Sequence, residues 1–394
     1  MALAITEPSE LFPRESYESY FEVKEFWTAS QRQANRLHEV SYRACFKPQL
    51  PAYFIDRLTE PGDLVYDPFA GRGTTAIEAA LRGRNVASND VNPLSELLTR
   101  PRLEVPSLTE IDSRLASISK TDPGDEDFDL GMFFHEQTLI EIHSLRKYLE
   151  DRRSSGQEDS VDRWIRMVAI NRLTGHSPGF FSVYSLPPNQ AVSRKRQLQI
   201  NLKRNQTPEY RDTHALIMRK SKVLSSQLSQ ELTETLQRAA ESAIFLSNDA
   251  ALTTEISESS VSLVVTSPPF LDIVQYADDN WMRAWFAGVN SDEVAAKITM
   301  SRTVSEWSRK MTDVFMELNR ILKAGGHIAF EVGEIRNGKI NLEDAVIPIG
   351  LATGFNLEKV MINEQSFSKT SNIWGVKNNA GGTNTNRIVV FKKR

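Results

Sequence analysis

Residues 63–90, DLVYDPFAGRGTTAIEAALRGRNVASND, leave this chain few ways to fold. An apolar run stops at Asp67, and a Gly-rich turn follows (Ala70-Gly71-Arg72-Gly73-Thr74). A helical pattern covers 75–82, and a second short run ends at Asp90. Gly71 and Gly73 permit a left-handed backbone and close approach to a ligand. Strand, turn, helix, strand is one unit of a parallel sheet. Such sheets bind ligands beyond the carboxyl ends of their strands.

Further short runs rich in Val, Ile and Leu stand at 243–249, 261–269, 327–334, 355–362 and 386–393, with a helical pattern at 305–322. Runs of this kind suit buried parallel strands. The expected fold is therefore α/β: a doubly wound, mostly parallel, seven-stranded Rossmann-like sheet. The last two runs are joined by a loop-like segment, 366–385, which allows an antiparallel last strand. From Asp67 to Ser267 the chain runs 200 residues, whereas three strand–helix units need about 90. An insert of on the order of 100 residues is implied, and long inserts beside a sheet carry function. The expected division is a discontinuous sheet domain, 20–101 and 241–394, with a recognition region at 102–240.

The formal net charge is only −4, so a nucleic-acid partner must be argued locally. Residues 104–162 are acid-rich, whereas 194–222 carry nine Lys or Arg against Glu209 and Asp212. A charge run is commonly a solvated face; a phosphate-binding surface is the functional alternative. No apolar run approaches the roughly 20 residues of a membrane span, and the N-terminus lacks the layout of a signal peptide, so a cytoplasmic protein is expected. The single cysteine, Cys45, excludes an internal disulfide and a multi-cysteine zinc site; it reads as a small buried residue, and no metal is expected.

Gly71, Gly73 and Ala76 also satisfy the dinucleotide fingerprint, which keeps a nicotinamide oxidoreductase in view. Asp67 argues the other way. An acid here would repel a pyrophosphate but suit a cofactor carrying ammonium and sulfonium charges. Asp90, at the end of the second strand, is placed to accept from two ribose hydroxyls. The octapeptide Asp67-Pro68-Phe69-Ala70-Gly71-Arg72-Gly73-Thr74 resembles the first motif of the DNA amino-methyltransferases, D-P-F-x-G-x-G-T, at every fixed position. Upstream, Lys47-Pro48-Gln49-Leu50 is similar to that family's K-P-x-x-L element, although Lys47 also reads as a surface lysine. The resemblance implies S-adenosylmethionine as cofactor. It implies that Lys47, Asp67, Phe69, Ala70, Gly71, Gly73, Thr74 and Asp90 hold it, with Asp249 accepting from its adenine amine.

Thr266-Ser267-Pro268-Pro269-Phe270 follows the run at 261–265. It resembles the family's catalytic turn, an Asp, Asn or Ser before Pro-Pro and an aromatic residue. A Pro-Pro pair fixes a rigid turn. An exocyclic amine is a poor nucleophile, because its lone pair is conjugated with the ring. A rigid turn can set two acceptors, the Ser267 side chain and the Pro268 carbonyl, against its hydrogens, so that catalysis is mostly positioning. Phe270 offers a face for an extruded base. Within the family, serine in the first position goes mainly with cytosine N4, and Asp or Asn with adenine N6. C5-cytosine chemistry needs a cysteine nucleophile, and Cys45 lies far along the chain from this turn.

The resemblance thus implies a site-specific methyltransferase acting on cytosine N4 of a flipped base, with adenine N6 as the alternative. Its substrate is double-stranded DNA, and a restriction endonuclease acting on the same site is its partner. Tyr276, Asp279 and Trp281 are candidates for shaping the base pocket. Arg194, Lys195, Arg196, Lys203 and Arg204 are expected to share one face and grip phosphates. Residues 176–189 and 201–211 are expected to set the target. Two readings stay open: an RNA or protein N-methyltransferase of the same fold, and a catalytically silent nucleic-acid-binding module. One departure is order: the cofactor motif precedes the Ser-Pro-Pro turn, the reverse of many relatives with a serine turn.

Overall fold

The computed structural model describes residues 17–26, 34–43, 45–120, 129–186, 191–269, 276–298, 301, 303–335, 340–364 and 385–394. Phe270 lies outside them, as do the side chain of Tyr276 and residues 187–190 of the expected target-setting segment.

In chain order the strands are β1 (Phe21–Lys24), β2 (Leu64–Asp67), β3 (Asn85–Asn89), β4 (Ile244–Leu246), β5 (Val261–Thr266), β6 (Leu322–Val332), β7 (Glu334–Ile335), β8 (Ile340–Asn341), β9 (Phe355–Glu364) and β10 (Thr385–Lys393). Eight of them form one sheet in the order β4-β3-β2-β5-β6-β10-β9-β1, and β7 pairs with β8 in a separate ribbon. Every pairing in the large sheet is parallel except those of β10, which runs antiparallel between β6 and β9. The antiparallel last strand is as expected. The eighth strand, β1, was not marked by the sequence pattern: FEVK is four residues long, half-exposed, and alternates a charge with each apolar residue.

Alternation along the strands divides the core in two. Val65, Val86, Leu263 and Val265 face one layer with the Thr74–Leu81 helix. Tyr66, Ala87, Val261 and Val264 face the other, where Phe315 lies 5.0 Å from Phe330 and 5.6 Å from Phe391 between ring centres. The Val304–Ile321 helix, held at its start by a Thr303–Glu306 capping box, covers that second face.

The long interval between β3 and β4 is helical: Leu108–Ser117, Glu136–Ser154, Ser160–Ile170, Arg194–Arg204, Thr213–Ser225 and Gln230–Glu241. Its apolar residues, among them Trp164, Ile165, Leu216 and Ile217, join the first core layer. The inserted helices therefore share one hydrophobic core with the sheet. Burial of these side chains, at about 25 cal/mol per Å² of apolar surface, fixes them to the sheet rather than leaving them tethered.

From β2 the sheet continues to β3 on one side and to β5 on the other. Chain connections diverge there, and crevices open at such a switch point beyond the strand ends.

Candidate active site

A cleft of about 1060 Å³, open mouth included, occupies that switch point. The turn after β2 contributes Phe69, Ala70, Gly71 and Thr74, and the end of β3 contributes Asp90 and Asn92. Asp249 follows β4, and Ser267 and Pro269 follow β5. The structure thus gathers most of the residues read from the two motifs. Asp67, Gly73, Pro268 and Lys47 do not line the cleft.

Asp67 lies beneath it, fully buried. One carboxylate oxygen, Oδ1, accepts from the Phe69 N–H at 3.1 Å and from the Thr266 hydroxyl at 2.6 Å. Oδ2 has no hydrogen bond among the described residues. Burial pushes its pKa up to about 7 against these donors. This carboxylate ties the turn after β2 to the end of β5. Lys47 is half-buried at the start of the Gln49–Leu58 helix, where burial lowers its pKa.

Asp90 lines the cleft just after β3. Its Oδ2 accepts from Gly71 N–H at 2.8 Å and its Oδ1 from Asn92 N–H at 2.9 Å, and burial still raises its pKa. Two backbone donors fix the carboxylate while it faces the cleft. The glycines differ. Both have positive φ, +52° at Gly71 and +72° at Gly73. A Cβ at Gly73 would overlap the Thr99 side chain, whereas at Gly71 the nearest atom is a Tyr42 ring carbon at 3.6 Å. Gly73 is required by packing; Gly71 presents bare backbone to the cleft.

The same turn bears on the dinucleotide alternative. A pyrophosphate is held by free N–H groups of a Gly-rich turn. Here Phe69 N–H donates to Asp67, Ala70 N–H to the Asn89 carbonyl at 2.9 Å, Gly71 N–H to Asp90, and Gly73 N–H to the Ala70 carbonyl at 2.7 Å. All four donors are already occupied within the protein.

The Ser267-Pro268-Pro269 turn is braced from two sides. Thr266, below it, donates to Asp67, and the Trp307 indole N–H donates to the Pro269 carbonyl at 3.0 Å. Nothing among the described residues donates to the Pro268 carbonyl or bonds the Ser267 hydroxyl, so both remain open as acceptors. Asp249 differs from expectation in its partner. It lies three residues beyond the end of β4, and its carboxylate is ion-paired with Lys310. Burial would raise its pKa, but the Lys310 ammonium and the Ala251 N–H outweigh that and hold it low.

Several cleft residues were not singled out from the sequence: Arg43, Phe46, Asn92, Lys297, Trp307 and Lys310. Trp307, Lys310 and Met311 recur at helical spacing on Val304–Ile321, a legible signal that one face of that helix meets the cleft. Cys45 is a correction. Distant along the chain, it lines the same cleft as Ser267, with burial raising its thiol pKa. The protonated thiol is no nucleophile. Asp279 pairs with Arg43 at 2.5 Å, so it acts on the cleft through that arginine. Trp281 turns away; its indole N–H donates to the Val192 carbonyl at 3.2 Å and its ring packs near Phe133.

The basic residues Arg194, Lys195, Arg196, Lys203 and Arg204 all lie exposed on the Arg194–Arg204 helix. They do not share one face. Lys195, Arg196 and Lys203 project outward together, whereas Arg204 stacks on the Tyr184 ring at 3.8 Å. No helix among the described residues is long and apolar enough to cross a membrane, and none of their His, Cys, Asp and Glu residues cluster as a metal site.

Residues 3–97 match the family model described as DNA methylase. That stretch, about a quarter of the chain, holds both the Lys47-Pro48 element and the Asp67–Thr74 octapeptide, so the resemblance to DNA methylases is found independently there. The chain is 36% identical over 63 residues to the type II methyltransferase M.MjaII of Methanocaldococcus jannaschii, a match covering 16% of this chain and 12% of that protein. It therefore spans about an eighth of the curated relative it matches. TrmN from Thermus thermophilus overlaps 91% of this chain and 52% of its own, at 12% identity and a TM-score of 0.33. A SAM-dependent methyltransferase from Methanosarcina mazei overlaps 86% and 96% at 9% identity and the same TM-score, 0.33.

Proposed function

We infer that this protein is an S-adenosylmethionine-dependent DNA methyltransferase that modifies an exocyclic amino nitrogen, cytosine N4 ahead of adenine N6. The observation that carries the reading is convergence. The Gly71 turn, the fixed Asp90 carboxylate and Ser267 meet in one cleft although Gly71 and Ser267 lie 196 residues apart in sequence. The reading includes a modification role paired with an endonuclease acting on the same site.

The cleft suits the cofactor. Asp90, held by two N–H groups, keeps oxygen lone pairs for ribose hydroxyls, and Phe46 and Phe69 border the space for a flat ring. The Asp249–Lys310 pair stands at the same cleft and can both accept from and donate to a purine edge. When bound, S-adenosylmethionine supplies an electrophilic methyl on a sulfonium. The chain positions the target amine against it. Ser267 Oγ and the Pro268 carbonyl accept its two hydrogens, which draws the lone pair out of the ring plane. Trp307 holds the Pro269 carbonyl away from that task and fixes the turn, so the acceptors need no rearrangement. The Phe270 ring is the surface on which the extruded base stacks. Residues 20–101 and 241–394 form the catalytic part and 102–240 the recognition part, with Lys195, Arg196 and Lys203, the outward members of the expected basic set, contacting phosphates.

Ser267→Ala tests this assignment. Cofactor affinity by calorimetry stays within about twofold, while methyl transfer to DNA falls by about 2–4 kcal/mol, the scale of one lost transition-state hydrogen bond. Unimpaired transfer places the catalytic turn elsewhere.

A further inference from the structure

Resting on the methyltransferase reading, we propose that the outward ridge of the Arg194–Arg204 helix, Leu198, Gln199 and Leu202 between Lys195 and Lys203, is the element that reads the base sequence of duplex DNA in its major groove. Three observations carry this.

The first is how the helix is held. Its one buried residue is a glutamine, Gln197. The Gln197 amide donates to the Tyr184 carbonyl at 3.0 Å and to Asn201 Oδ1 at 2.8 Å, and Asn201 donates to the Met132 carbonyl at 2.8 Å. Gln206 adds bonds to Tyr184 at 2.9 Å and to Asn201 at 2.8 Å. At 3.6 residues per turn, Gln197, Asn201 and Arg204 fall on the inner side, and Lys195, Gln199, Leu202 and Lys203 on the outer. A polar ladder, with Ile200 packed against the core beside it, therefore fixes the helix in place and leaves Leu198 and Leu202 outside.

The second is what it presents. Leu202 is 83% exposed and Leu198 49%, one turn apart. The helix carries five Lys or Arg and no acid. An α-helix fits the major groove of B-DNA, where thymine methyls are apolar and base edges offer acceptors. Flanking cations meet the phosphates. Arg196 donates to Gln199 Oε1 at 3.1 Å, which orients the Gln199 amide with its N–H groups free to donate outward. Charge selects a polyanion, and the leucines and glutamine give it something to read.

The third is the link to the catalytic turn. Just before the helix, Ala191 N–H donates to the Asp279 carbonyl at 2.8 Å, and the Val192 carbonyl accepts from Trp281. Asp279 and Trp281 lie on the Tyr276–Ala287 helix, which follows that turn. The ridge helix is thus bonded at its start to the helix that follows the Ser267–Pro269 turn in the chain.

The experiment compares the Leu198→Ala/Leu202→Ala pair, Gln199→Ala, and the Lys195→Ala/Lys203→Ala pair in the full chain. Each is incubated with unmethylated genomic DNA and S-adenosylmethionine, and the methylated positions are mapped by sequencing. All these side chains are exposed, so thermal unfolding should match the parent. The leucine and glutamine variants are expected to lose discrimination between the target and singly altered sites by about 5- to 100-fold, the range for one base pair's contacts. Their salt dependence should be unchanged. The lysine pair should weaken binding to all sequences and flatten the salt slope by about 2, with the target unchanged. Unaltered target choice in the leucine and glutamine variants overturns the proposal while the methyltransferase reading stands. So does a change confined to oligomeric state, which would make the ridge a contact between copies of this chain. Failure of the parent to methylate any DNA sinks the underlying reading instead.

Discussion

Gly73→Ala should destabilise the fold far more than Gly71→Ala, although the two glycines are two residues apart in one turn. At Gly73, φ of +72° imposes the left-handed conformation, which costs a non-glycine residue about 1–2 kcal/mol. The added Cβ also overlaps Thr99, whose side chain is fully buried and cannot swing away; overpacking of that kind costs about 1–3 kcal/mol. The expected loss is about 2–5 kcal/mol. Gly71 carries only the conformational part, about 1–2 kcal/mol, because its nearest neighbours stand at 3.6–3.7 Å. Urea unfolding followed by circular dichroism reads both. Thr99→Ala in the Gly73→Ala background should restore part of the loss, a coupling of about 1–3 kcal/mol. In calorimetry the order reverses for folded protein: Gly71→Ala places a methyl in the cleft and weakens S-adenosylmethionine more. Equal destabilisation at the two positions, or strict additivity of the 73 and 99 changes, would refute the packing argument.

Asp67 makes a pH prediction. Its folded pKa of about 7 lies above the ordinary 3.8, so the native state binds the extra proton and stability falls as pH rises from about 4 to 7. The decline should be about 1–4 kcal/mol and disappear in Asp67→Asn; identical pH profiles for the two proteins would contradict it. Trp307→Phe removes the indole bond to the Pro269 carbonyl and should lower kcat about tenfold or more with a smaller change in cofactor affinity, a split that steady-state kinetics resolves. Changing Arg194, Lys195 and Arg196 to Ala should weaken binding to all DNA and flatten its salt dependence, leaving the methylated sequence unchanged; full affinity at physiological salt would leave these residues a solvated face.

What was legible depended on how local its cause was. The strands and the Thr74–Leu81 helix follow from short-range patterning, and the octapeptide after β2 marks the cofactor turn because its chemistry lies in consecutive residues. The inserted interval was visible as surplus length, but not that its helices would share the sheet's core. Trp164 and Leu216 give no sign in sequence of facing the same layer as Val65. The bonding of Asp67 is hidden for a similar reason: its Thr266 partner is 199 residues away, and only the fold shows the carboxylate buried between the two strands. Cys45 is the same case from the other side, remote in the chain and adjacent in the cleft. β1 escaped notice because four half-exposed residues at an edge carry almost no hydrophobic signal.

The central claim concerns one bond, between a methyl group and an exocyclic base nitrogen. Unmethylated genomic DNA incubated with the protein and S-adenosylmethionine, digested to nucleosides and analysed by mass spectrometry, tests it directly. The account predicts N4-methylcytosine in the wild-type reaction and its marked loss with Ser267→Ala. N6-methyladenine in its place would correct the choice of base, and DNA free of any new methyl group would contradict the account.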